Sequence, residues 1–484
     1  MNILSKKISI NFILFFFSCF SLNLVSANNG FNSVIKLEKH FKVESTFSGD
    51  FSKEKSTSFH LILTKNKKTK KYDTFIYLFD GNNTNKIGVL TQEKSHGINS
   101  FYKNGNILTL LISYKIKRDH FVKRVDIDVV SNKIKEHKAI SNEDLLTSLR
   151  TDSKVYFVYK TKKELKVIVL SDLDINKETK YVFKKRNDEV KEYFNNTFVT
   201  AVKTDEFVAN GAVSNARLYL SDSKLFFTKQ DDNYTELLSF NISDDALKPS
   251  FKIFNNNLNR LNFKKNTSYV LKDKIFLLGL GKKEASFSVF NIDNQDPLNT
   301  VDLNDNLLTK ASKGKDFVNI KEFLKQAAKN KHNATVTVNK SVNNKLNVRI
   351  DYVDVSYSYN YNWWWHHQWM FQMNQMHMNN VMHQVRSNIP TGFGPNQEED
   401  SFVNFYKKNN EKVYFQFTIN SDGNVEDQES KSIYKEIDKK KYIDKLADIS
   451  NLKFESSCFI NDEFRFISYN KSLKRIIIQK NSVK

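Results

Sequence analysis

The sequence predicts a mainly β protein assembled from repeated short sheets, and three observations carry that prediction. Apolar runs of strand length, rich in Phe, Tyr, Ile and Val, dominate over helical patterns, and the whole chain holds only four prolines. The clearest runs begin at Phe59, Ile107, Val155, Leu225, Ile275, Val413 and Phe464, at steps of 48, 48, 70, 50, 138 and 51 residues. Most are followed by a polar turn and then a second strand, so the repeating unit is a hairpin or more, with a period near fifty.

Before the first unit, Lys6 and Lys7 precede an apolar stretch from Ile8 to Phe20, and Val25-Ser26-Ala27 supplies small residues at a cleavage position. That order is the one of a secretory signal, so residues 1–27 are expected to be removed and the mature chain to act outside the cytoplasm: periplasmic, on the cell surface or secreted. The apolar stretch is short and interrupted for a membrane span. A rival reading takes Cys19, after Phe16-Phe17-Ser18, as a lipid-attachment cysteine, although apolar residues continue beyond it. No second segment is apolar for long enough to span a bilayer, so the mature chain is expected to have no transmembrane span. Once the signal is removed Cys458 is the one cysteine left, so no intramolecular disulfide can form and the apolar core must hold the fold.

The second strands read Asp73–Asp80, Val122–Asp128, Leu165–Asp172, Leu237–Ile242, Phe287–Asp293 and Arg475–Gln479. Short polar residues at their ends, as at Asp128, Asp174, Asn241 and Asp293, are suited to accept bonds from nearby backbone N–H groups and close a turn. Seven such units, none able to bury a face alone, resemble the architecture of a seven-bladed β-propeller over roughly 45–484. The resemblance is to the architecture and points to no named family: all four tryptophans lie between 363 and 369, so no Trp-Asp repeat of the WD40 kind exists, and the Gly-Gly doublets of kelch repeats are missing. A pair of β-sandwich domains is the competing arrangement.

The long step between the fifth and sixth units implies an α+β insert between blades 5 and 6, over 313–400. Phe317, Ile320, Phe323, Leu324 and Ala327 recur at helical spacing, with Asp316 placed to cap the helix. Ala334, Val336 and Val338 then alternate, Asn343-Asn344 offers a turn, and Leu346, Val348, Ile350 and Tyr352 alternate again, as in a hairpin. The resulting organisation is a signal at 1–27, blades 1–5 at 28–312, the insert at 313–400, and blades 6–7 with ring closure at 401–484.

The insert's second half differs in kind. From Val355 to Val385 there is no Asp, Glu, Lys or Arg, in a chain where 27% of residues are charged. This stretch holds Trp363, Trp364, Trp365 and Trp369, every methionine except the initiator, and His366, His367, His377 and His383. Three readings fit. The first is a tether packing its aromatics against the propeller. The second is a contact surface for a protein, polymer or membrane-surface partner, with Trp363, Trp364, Trp365, Trp369 and Phe371 as apolar anchors. The third is a soft-metal site, since thioethers and imidazoles suit copper(I). As a helix, His366, Met370, Met373 and His377 share one face; Met370, Met373 and His377 reach one ion, whereas His366 lies about 16 Å along the axis from His377. A zinc site lacks an i,i+3 or i,i+4 histidine pair.

The formal charge of +21 invites a nucleic-acid reading, but the lysine runs (Lys65 to Lys71, Lys162-Lys163, Lys439 to Lys441) fall where turns are expected, where they keep sheet edges apart. No specific nucleic-acid partner is expected. Neither a G-x-S-x-G, an H-E-x-x-H, a phosphate loop nor a dinucleotide glycine signature occurs, and Cys458 beside a strand reads as a buried small side chain. The function expected is non-catalytic binding, with no cofactor. Copper handling is the alternative, and a propeller-type hydrolase with a site assembled from distant loops comes third.

Overall fold

The computed structural model describes residues 32–117, 119–141, 144–171, 177–195, 197, 199–202, 204, 215–255, 263–330, 332–357, 405–433 and 451–483. They form seven separate sheets, each four- or five-stranded, arranged as a β-propeller. Blade 1 is a meander of Phe41–Ser52, Thr57–Asn66, Tyr72–Phe79 and Thr84–Gln92, counted from inner to outer strand. Blades 2, 3 and 5 repeat the plan over 96–141, 145–182 and 265–302, and blade 4 repeats it over 216–255 with an extra strand, Val199–Ala201, added parallel to Ala216–Ser221 at its inner edge. Blade 7 takes Leu452–Ile460, Glu463–Asn470 and Arg475–Ser482 from the end of the chain and its outer strand, Asn32–Ile35, from the beginning. That closing strand pairs antiparallel, Asn32 opposite Gln479 and Ile35 opposite Ile476.

Each of the seven apolar runs read from the sequence lies in a different sheet. Six are second strands, because a second strand is paired on both edges and covered on both faces, and so reads as a nearly continuous apolar run: Thr57–Asn66 is buried at almost every position. Outer strands such as Ser250–Asn255 are exposed at most positions and carry little apolar signal.

Shared apolar clusters bind one sheet to the next. Phe47, Phe59 and Phe101 join blades 1 and 2, with Phe59 and Phe101 edge-to-face at 4.8 Å. Leu145, Val155 and Phe157 of blade 3 meet Tyr102 and Leu111 of blade 2. Tyr219 and Tyr269 cross at 5.5 Å between blades 4 and 5, and Phe287 and Phe417 at 5.5 Å between blades 5 and 6. Full burial of each such ring stabilises the fold by about 1.5–3 kcal/mol relative to exposure, which is how sheets too small to stand alone hold together.

Blade 6 departs from the sequence expectation in composition. Its strands, from inner to outer, are His332–Lys340, Leu346–Tyr357, Phe405–Ile419 and the short Ser312–Lys313. The helix and hairpin expected in an insert between blades are therefore parts of this blade. The run at Val413 is its third strand, and the hairpin Ala334–Tyr352 supplies the first two. The regular spacing broke because the blade's outer strand comes first in the chain and because residues 358–404 separate its second strand from its third, where the Val413 run lies. The helix is Ile320–Ala327, capped by the Asn319 side chain accepting from the Glu322 N–H at 2.8 Å; Asp316 lies outside it. Phe317 precedes the helix and packs beside Phe323 and Phe415.

The polar turn residues behave as expected at Asp128, which accepts from Val130 and Ser131, and at Asn241, which accepts from Ser243. In blade 5 the acceptor is Asn291, two residues before the expected Asp293, whose own N–H it receives at 2.8 Å. Asp174 lies outside the described residues.

Candidate interaction face

In an antiparallel meander the chain reverses at every turn. Connections between strands one and two, and between three and four, therefore lie at one rim of the blades. Connections between strands two and three lie at the other rim, together with the links from blade to blade. The structure shows these links and turns in contact: the Lys67 N–H donates to the His40 carbonyl at 2.8 Å, and Lys160 Nζ donates to the Phe194 carbonyl at 3.0 Å.

The two rims differ in charge. At the linker rim, blade 1 presents Lys67-Lys68-Thr69-Lys70-Lys71, blade 2 Lys115 and Lys117, blade 3 Lys162-Lys163, blade 5 Lys282-Lys283, and blade 7 Lys471 and Lys474. Blade 4, with Asp231-Asp232, is the exception. At the opposite rim the turns carry Asp80, Asp152, Asp222, Asp244-Asp245, Asp293 and Asp422, and lysines are fewer. Among them Asp80 closes its own turn: it accepts from the N–H groups of Asn82 and Asn83 at 2.8 and 2.7 Å, which holds its carboxyl below the usual range.

Most of the linker-rim lysines are exposed. Lys71 pairs with Glu93 at 2.7 Å, and this bond and charge raise its ammonium's pKa. Lys70, Lys117 and Lys474 hold φ of 63°, 55° and 50°. That left-handed conformation favours Gly, Asn or Asp, and those types fill several such positions at the opposite rim: Gly81, Gly105, Asp222, Asn344 and Asn461, beside one lysine, Lys272. Single apolar side chains stand among the linker-rim lysines: Ile116 and Leu473 are 42% and 43% exposed, and Val182, opposite Glu164 beside the Lys162-Lys163 turn, is 62% exposed.

Blade 6 adds a ribbon to this rim. Its second and third strands pair from Leu346 opposite Ile419 out to Tyr357 opposite Phe405, past the end of the inner strand, where His332 stands opposite Asp354. Residues 358–404 therefore connect two strands at the linker rim. At the ribbon's base the Arg349 guanidinium lies 3.9 Å above the Tyr414 ring, with Nε 3.5 Å from the Asp351 carboxylate. The candidate residues Trp363, Trp364, Trp365, Trp369, Phe371, His366, Met370, Met373 and His377, like Cys19 and the signal, lie outside the described residues; the structure gives only the place where their segment leaves the propeller.

Two polar clusters resemble reactive groupings and are built as structural ones. His60 Nδ1 lies 2.8 Å from Ser48 Oγ and its Nε2 3.1 Å from Ser58 Oγ, one ring nitrogen donating and the other accepting, with all three side chains buried. Burial, and then the Arg465 charge, push this imidazole down to about 3, so it stays neutral. Nearby, burial drives the Cys458 thiol up to about 12, which keeps it protonated and unreactive. In blade 2, burial alone would raise the Asp126 carboxyl, but donation from Arg124, Thr109 and His137 holds it low. Among the described residues, no group of three or more His, Cys, Asp or Glu is placed to hold a metal ion, and no helix is long and apolar enough to cross a membrane.

No family model matches the chain, and neither does any curated protein. Solved structures similar to it include the β-propeller domain of the Trilobed protease from Pyrococcus furiosus, at 8% identity over 66% of this chain and 85% of that one, with a TM-score of 0.28. The WD40 domain of SCAP from fission yeast matches at 6% identity over 94% and 98%, with a TM-score of 0.26. A GH43 β-xylosidase/α-arabinofuranosidase from a compost microbial metagenome matches at 10% identity over 52% and 89%, with a TM-score of 0.23.

The lysine runs are visible in the sequence as separate hairpin tips. Their shared rim depends on phase: a turn's rim is fixed only once each run is known to be a second strand. Noting that most runs are followed by a lysine turn and the next strand by an acidic one was the available signal.

Proposed function

We propose that this chain is an exported, non-catalytic binding protein, in which a rigid propeller presents its linker rim, and the Trp/Met/His-rich segment carried there, to a partner or surface. One observation supports this most: the ribbon bearing residues 358–404 outgrows its blade at the rim that gathers the lysine turns of five blades. Large adaptable apolar side chains beside dispersed positive charge suit contact with an extended surface better than enclosure of a small substrate.

The test is retention by the envelope of the producing cells. A variant lacking 358–404, with the ribbon closed by a short turn, and a variant with linker-rim lysines reversed are compared with the full chain after gentle washing. Loss of retention in either, with unchanged far-ultraviolet dichroism, supports the reading. Undiminished retention in both, or turnover in a broad glycosidase and peptidase screen, overturns it. Copper handling through Met370, Met373 and His377 is separated by titrating Ag(I) against the wild type and the triple alanine variant; equal affinity removes it.

A further inference from the structure

We infer that the linker rim docks flat on an anionic lipid bilayer, an inference that rests on the binding reading above and names its partner by chemistry. Three observations converge. The lysine turns belong to five different blades, so the charge is spread across a broad rim, which a planar array of headgroups can meet at many points at once and a single polymer strand cannot. The turns also carry exposed apolar tips, Ile116 between Lys115 and Lys117 and Leu473 between Lys471 and Lys474. Alternation of ammonium and aliphatic groups is the chemistry of the bilayer interface, where the charge meets headgroup phosphate and the side chain enters the acyl boundary. Finally, the opposite rim is acidic, which orients the disc: one face is attracted to a negative surface and the other repelled.

The orientation makes the inference separable from a mere effect of net charge. The mature full chain is mixed with phosphatidylcholine vesicles with and without about 30% phosphatidylglycerol, and binding is read by flotation at low and high salt. One variant reverses four linker-rim lysines, Lys67→Glu, Lys162→Glu, Lys283→Glu and Lys471→Glu. A second reverses the opposite-rim Lys53→Glu, Lys55→Glu, Lys154→Glu and Lys272→Glu, an identical change in net charge. The expected result is binding that needs phosphatidylglycerol, weakens with salt, falls at least about tenfold in the first variant and stays near wild type in the second. Leu473→Ser with Ile116→Ser should lower the binding that survives at high salt. Equal loss in both charge variants overturns the inference, as does absence of vesicle binding. Binding to soluble heparin without vesicle binding would assign the rim to a polymer. If envelope retention still depends on the linker rim when vesicles do not bind, the binding reading stands and only its lipid partner falls.

Discussion

Arg465, fully buried on the second strand of blade 7, donates from Nη1 to the Phe79 carbonyl oxygen of blade 1 at 2.8 Å. The same nitrogen reaches Ser58 Oγ at 3.1 Å, Nη2 reaches Ser56 Oγ at 3.0 Å, and Glu463 accepts from Nε at 2.8 Å. Blades 7 and 1 come from opposite ends of the chain, so this guanidinium is a polar lock on closure, beside the Ser48–Ser456 bond at 2.9 Å. Arg465→Met should destabilise the protein by about 3 kcal/mol, since it removes the guanidinium donors to Ser56, Ser58 and the Phe79 carbonyl and leaves Glu463 with Lys480, at 3.3 Å, as its remaining ion pair. Urea unfolding of the two proteins measures the difference, and a loss within experimental error would show that apolar packing alone closes the disc.

His60 makes stability depend on acid. Its folded pKa is depressed to about 3, from 6.5 for the free side chain, so between those values the unfolded chain binds a proton that the native one refuses. The stabilisation is fully present above pH 6.5 and is lost as pH falls toward 3. Its steepest contribution is about 1.4 kcal/mol per pH unit. His60→Asn should flatten the fall in unfolding free energy between pH 6 and 4; parallel curves for both proteins would contradict it.

Gly49, opposite Phe59 across the first two strands, is there for space. A Cβ at this position would stand 2.5 Å from Phe59 Cζ and 2.6 Å from Phe101 Cζ, on rings already packed between two blades. Gly49→Ala should therefore cost about 1–3 kcal/mol by overpacking, although alanine suits a strand better than glycine. An unchanged thermal midpoint would show that the rings can yield.

The cap of the 320–327 helix gives a paired test. Asn319→Ala removes the acceptor for the Glu322 N–H and should cost about 1 kcal/mol, whereas Asp316→Ala should cost little. The reverse order in chemical denaturation would return the cap to Asp316.

Export is checked directly. Amino-terminal sequencing of the protein recovered outside the cell should begin at Asn28. A product that starts at a lipid-modified Cys19 would replace free export with anchoring.

The sequence by itself determined the strand content, the seven-fold recurrence and the turn chemistry at Asp128 and Asn241. Each depends on neighbours along the chain or on burial of whole strands, and such burial leaves a continuous apolar run. It also isolated the Trp/Met/His segment by composition alone. Only the tertiary structure decided that the hairpin Ala334–Tyr352 belongs to blade 6, that Asn32–Ile35 completes blade 7, and that lysines hundreds of residues apart share a rim. Outer strands are too exposed to leave an apolar signature, and the rim on which a charge stands depends on strand direction, which no local pattern of residues encodes.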